Sequence, residues 1–163
     1  MAESSHGEKP QEVVIADFGM GNLGSVANMV KHVGSRPIIS SDPNVVANAS
    51  RLILPGVGNF EYGMKQLRER GFVDALNTAR ENGSEILGIC LGMALMTQWS
   101  DEGMWPRLGW FDLKTLRIPR TSASGERLLV PHMGWNQIDV RAGAKQFTNV
   151  PAPSRFYFVH SYY

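Results

Sequence analysis

Cys90 is the sole cysteine of a 163-residue chain, and it stands within Gly88-Ile89-Cys90-Leu91-Gly92. G-x-C-x-G is the thiol counterpart of the nucleophile elbow, a sharp turn between a strand and a helix that presents a reactive side chain. Glycines on either side let strand and helix pass closely without Cβ clashes. The thiolate is the reactive form of a cysteine, and the positive end of a helix favours it. A lone cysteine between two glycines also fills small apolar gaps, so the pentapeptide by itself leaves catalysis and packing open. A second glycine-rich stretch, Pro55-Gly56-Val57-Gly58, follows another apolar run. Two glycines there could turn backbone N–H groups toward a developing oxyanion, where one donor contributes roughly 3 to 4 kcal/mol of transition-state stabilisation. The same residues also make a plain Gly-Pro turn. Of the four histidines, His6 lies in the polar opening and His32 on a helical face. His160 invites a reading as general base, but a satisfied histidine at the end of a strand is the better one.

Two such loops need a framework that delivers both to one edge. Parallel strands do this, because α/β sheets bind ligands at the C-terminal ends of their strands. The patterning predicts strands over 12–16, 36–40, 51–54 and 85–89. It predicts helices over 22–34, 43–49, 60–82 (in two parts, broken near Gly71) and 91–99. Asn22 and Asp42 are the expected N-caps, and Gly34 the expected stop. Strands alternating with helices imply right-handed crossovers and a mainly parallel, twisted sheet flanked by helices. After Gly103 the texture changes to strands over 110–118, 128–131, 135–140 and 155–163, with few helices between. The fold class is therefore α/β with a β-rich second half, organised as a leader over 1–11 and one domain over 12–163.

Composition narrows the function. Hydrophobic residues make up 43% and charged ones 19%, the profile of a globular chain with a real core. Sixteen basic against fifteen acidic residues give a net charge of +1, which provides no electrostatic footprint for nucleic acid. No apolar run approaches the roughly 20 residues needed to cross a bilayer. The opening 1–11 is polar, lacks an apolar h-region and reads as a disordered leader rather than a secretory signal. One cysteine and no export signal point to a reducing cytoplasm.

The elbow and the Gly-rich loop, in that combination, carry a family resemblance. With Asp17 to Asn22 (DFGMGN), Leu54 to Gly58 (LPGVG), Gly88 to Met93 (GICLGM), Pro131 to Asn136 (PHMGWN) and Phe156 to Tyr162 (FYFVHSY), the chain resembles the class I glutamine amidotransferases. Within them it is similar to the glutaminase-subunit family of imidazole glycerol phosphate synthases. The resemblance implies a flavodoxin-like fold and a Cys90 that attacks the side-chain amide of L-glutamine to form a thioester. It implies an oxyanion hole from Gly56, Val57 and Gly58 together with the N–H of Leu91, and no cofactor or metal. Glu102, Ser161 and Tyr162 fall where the family holds the amino-acid end of the substrate. Asn22, His132 and Trp135 fall at the face docked on a cyclase (β/α)8-barrel partner, which receives the ammonia as one half of a heterodimer. Trp135 as a core residue and Asn22 as a helix cap remain the plainer readings, and for Asn22 both apply.

Two departures accompany the resemblance. The family's elbow continues to a glutamine that contacts substrate, whereas the fourth residue after Cys90 is Ala94. The family's His-Pro-Glu segment, which supplies the general base and its orienting carboxylate, occurs nowhere in the 163 residues. The expectation is a C-terminally partial copy, weak or inactive alone. Two other functions stay open: a paralogue that feeds ammonia to sugar amination in surface-polysaccharide synthesis, and a catalytically silent partner-binding domain.

Overall fold

The parallel sheet forms as the patterning predicts. In the computed structural model, which describes residues 10–102 and 107–163, β1 (Glu12–Ala16), β2 (Arg36–Ser40), β3 (Arg51–Leu54) and β4 (Glu85–Gly88) lie in the order β2-β1-β3-β4. All three pairings are parallel. The leader expected over 1–11 lies outside the described residues except for Pro10 and Gln11. Gln11 already accepts a backbone bond from Arg36 beside the first strand pair.

Side-chain alternation along β3 explains the layers. Leu52 and Leu54 point to one face, where α2 (Pro43–Ala47), α3 (Phe60–Glu69) and α4 (Phe72–Glu81) bring Val46, Phe60, Met64, Leu67, Phe72 and Leu76. Ile53 points to the other, joining Ile15 beneath Ala27 and Val30 of α1 (Leu23–His32). Burying each large apolar side chain contributes on the order of 1.5 to 3 kcal/mol. The helix starts are capped by side chains: Asn22 accepts from Ser25 N–H at 3.2 Å, Asp42 from Asn44 N–H at 2.8 Å and Asn59 from Tyr62 N–H at 3.0 Å. Gly71, at φ +73°, turns α3 into α4.

The helix predicted over 91–99 is shorter. α5 (Leu91–Leu95) gives way to β5 (Thr97–Ser100), which pairs in parallel with β6 (Phe111–Thr115). Thr97 is the cause. Its hydroxyl bonds the Ala94 carbonyl at 2.8 Å, which a further helical turn would need, and meets the Thr115 hydroxyl at 3.0 Å.

The chain divides into two compact units, one up to Thr115 and one from Leu116 onward. The second is built on β7 (His132–Gln137) and β8 (Arg155–His160), antiparallel from His132↔His160 to Gln137↔Arg155. Segment 116–118 bonds to 161–163: Leu116 and Tyr163 exchange two backbone bonds of 2.8 Å, and Ile118 N–H donates to the Ser161 carbonyl. The strand expected over 128–131 does not form. Thr121 bridges Arg127 around a tight turn, and Pro131 has no N–H to give a ladder. The strand expected over 135–140 runs instead over 132–137, since Gly134 has no side chain and hides the alternation. The strand expected over 155–163 ends at His160. Among the described residues, no helix is long and apolar enough to cross a membrane.

Candidate active site

In the first unit, the ends of β3 and β4 sit side by side. Leu54 is in register with Gly88, and Ile89 N–H bonds the Leu54 carbonyl at 3.0 Å. Beyond them the chain must turn sharply, and Cys90 takes φ +54° and ψ −115°. Among the described residues it is the non-glycine residue with positive φ. Such backbone costs of order 1–3 kcal/mol and persists only where its surroundings enforce it. Here they do, through three glycines. A Cβ on Gly92 would lie 1.8 Å from the Leu54 carbonyl oxygen, and one on Gly88 would lie 2.7 Å from the backbone of Met93. One on Gly56 would lie 2.9 Å from both Gly92 N and Leu91 Cβ. The elbow and the Pro55–Gly58 loop are thus packed backbone to backbone, while the Cys90 side chain stays exposed. Val57 and Gly58 are exposed and Gly56 is buried.

The first Gly-rich loop, after β1, closes on the same edge. A Cβ on Gly21 would touch Pro55 at 3.2 Å, and one on Gly58 would lie 3.4 Å from the Met20 methyl. Asn22 ends this loop as the cap of α1 and is exposed. Glu102 reaches the start of α3, where its carboxylate takes the backbone N–H of Phe60. Half-buried, its carboxyl is held above the ordinary glutamate value, because desolvation outweighs that hydrogen bond. Cys90, Leu91, the Gly56–Gly58 loop and Glu102 therefore belong to one unit. Ala94 is buried beneath the elbow.

Ser161, Tyr162, His132 and Trp135 belong to the second unit. Period-two alternation sends His132 and Trp135 to opposite faces of β7. Trp135 is 63% exposed. Its ring meets Tyr157 edge-on at 5.7 Å between centroids, with the exposed pair Met133 and Val159 adjacent in register. His132 lies on the other face, opposite His160. His132 Nδ1 is 2.9 Å from His160 Nε2, and His160 Nδ1 is 2.8 Å from the Tyr162 carbonyl. His160 is thus satisfied on both nitrogens, as its place at a strand end predicts. The sequence reading missed this pair and the Phe60 N–H beside Glu102. Opposed positions in two adjacent strands were the available signal for the first, but it required the register.

Comparison with known proteins places these motifs in context. The family description glutamine amidotransferase class-I matches residues 14–163. An imidazole glycerol phosphate synthase subunit HisH 2 of Methanococcus maripaludis is 43% identical over 152 residues, covering 93% of this chain and 73% of the relative. Its namesake in Pseudomonas aeruginosa is 41% identical with the same coverage. A subunit HisH of a Geobacillus strain is 45% identical over 150 residues, or 91% of this chain and 71% of the relative. Among solved structures, a GMP synthase protein from Thermoplasma acidophilum aligns with a TM-score of 0.60 at 14% identity, covering 96% of this chain and 67% of that one. A second, described as a glutamine amidotransferase, gives 0.56 at 22%, with 78% and 63% covered. At those identities the two structures speak to the fold alone.

Proposed function

The chain belongs to the class I glutamine amidotransferases, and on that premise we propose that it is a glutaminase subunit hydrolysing L-glutamine and supplying ammonia to a cyclase (β/α)8-barrel partner. The product of that partnership is imidazole glycerol phosphate, in histidine biosynthesis. The observation that carries this reading is the strained backbone of Cys90, locked by Gly92 against β3 and by Gly56 against the oxyanion loop. The relatives' names supply the substrate and the pathway.

In this mechanism the Cys90 thiolate attacks the glutamine side-chain carbonyl carbon. The oxyanion is received by the N–H of Leu91 and by the Val57–Gly58 segment. Collapse breaks the C–N bond, ammonia leaves with one added proton, and a γ-glutamyl thioester remains on Cys90. Water then adds to the thioester and frees glutamate and the thiol. Glu102 pairs with the substrate α-ammonium, while Ser161 and Tyr162 hold the α-groups through their backbone. Residues 12–163 act as one amidotransferase domain, a reading supported by the family match running through both units. The protein works in the cytoplasm, where a lone thiol stays reduced, in a heterodimer whose interface includes Asn22, His132 and Trp135. A buried Ala94 at the family's glutamine position favours a second reading, in which the same chemistry feeds a different synthase.

Glutamate release decides the matter, measured with the purified cyclase for this chain and for an extended chain carrying a His-Pro-Glu segment. Release by the extended chain, lost in its Cys90→Ala variant, is the expected result. Undiminished release by that variant refutes the nucleophile. No release from the extended chain with its partner supports a silent binding domain instead.

A further inference from the structure

Two histidines outside the elbow are joined to each other and to a backbone carbonyl, and the join fixes where their protons are. The Tyr162 carbonyl can only accept, so at 2.8 Å His160 Nδ1 must carry a hydrogen. In the neutral ring, His160 Nε2 is then a bare acceptor. His132 Nδ1, 2.9 Å away, must donate to it. The opposite tautomer at His160 would turn a lone pair on the carbonyl oxygen. The rings are held in place as well as in register: Phe158 lies 5.4 Å from the His132 ring and 5.7 Å from that of His160.

The carbonyl so held is the one the sheet leaves over. Leu116, Ile118, Ser161 and Tyr163 form the backbone bonds of the 116–118 and 161–163 bridge. Arg117 and Tyr162 face each other across it without exchanging bonds. In such an antiparallel pair the N–H and C=O of Tyr162 point away from the neighbouring segment. The C=O goes to His160, and the N–H is left available to a ligand.

We propose that His160 is a positioning residue: with its tautomer set by His132, it clamps the Tyr162 carbonyl and so aims the Ser161–Tyr162 backbone at the α-groups of glutamine. This rests on the amidotransferase reading. It assigns His160 no proton transfer, and it gives His132 a role on the inner face of the hairpin.

The test combines long-range proton–nitrogen NMR of the histidine rings, in mildly alkaline solution where imidazoles are neutral, with calorimetric titration of L-glutamine into the full chain. Both rings are expected as Nδ1–H tautomers. His160→Phe is expected to weaken glutamine about tenfold, the scale of one lost neutral hydrogen bond. His160→Asn, whose amide nitrogen keeps a donor near the Nδ1 position, is expected to stay within about threefold of the unaltered chain. An Nε2–H tautomer at His160 overturns the proposal. So does unaltered affinity in His160→Phe, or a tenfold loss in His160→Asn. If the unaltered chain binds no glutamine, the amidotransferase reading fails and this inference falls with it, an outcome distinct from the others.

Discussion

A single strained residue can be recognised from five letters because its causes are local. The glycines flanking Cys90 are needed where the chain turns from β4 into α5, and both stand within two residues of it in sequence. Replacing Cys90 by Ala should abolish covalent labelling by a glutamine-like diazoketone, read by intact mass, while the fold is kept. Glu102 is a different case. Its place in the sequence carried a role only through resemblance, and its environment comes from α3, which lies some forty residues earlier. Desolvation raises its carboxyl above 4.5, so the folded protein holds that proton more tightly than the unfolded chain. Its contribution to stability is therefore greatest in acid and is lost as pH rises through the raised value. Binding an α-ammonium needs the carboxylate, so the sign reverses for the ligand. Glutamine affinity should fall as pH drops through the raised value, at a higher pH than an ordinary glutamate would give. Titration at several pH values checks this, and Glu102→Gln should bind weakly and without that inflection.

At the scale of elements, β1 to β4 and α1 to α4 were legible from periodicity, caps and glycine stops. The Asn22, Asp42 and Asn59 caps make the bonds that their residue types suggest. Asn59→Ala should cost about 1 kcal/mol in chemical denaturation, and because Asn59 follows Gly58 it should also loosen the oxyanion loop. Gly92→Ala should be far worse. A methyl 1.8 Å from a backbone oxygen has no flexible neighbour to displace, so β3 and α5 must part. The expected result is lost diazoketone labelling together with a fall in thermal midpoint, and normal labelling in that variant would show that the elbow tolerates the separation. What sequence left illegible was pairing. β5 hides in an apparent helix because Thr97 finds its partner, Thr115, eighteen residues on. β7 was placed three residues late because Gly134 interrupts the alternation.

For the molecule as a whole, the informative surface is the outer face of β7 and β8. Met133, Trp135, Tyr157 and Val159 are large, apolar and exposed together, a combination that marks interaction sites more than it marks solvated sheet. Central aromatic anchors typically contribute about 2 kcal/mol or more to an interface. Trp135→Ala should therefore weaken cyclase binding on the order of thirtyfold while leaving glutamine affinity intact. Surface plasmon resonance against the purified partner measures the first, and calorimetry the second. An unchanged cyclase affinity would remove this face from the interface. Only the aromatic composition of this face was legible beforehand, because opposed positions in two strands far apart in sequence become neighbours once the register is known.

The Gly56 contact has a mechanical corollary. Gly56 is pinned against Leu91 and Gly92, whereas Gly58, at φ +99°, meets only the end of the flexible Met20 side chain. The loop is thus anchored at one end and pivots at the other. Any swing of the Val57–Gly58 peptide can take place without moving the thiol it serves, so the oxyanion donors can be armed or disarmed while the nucleophile keeps its aim.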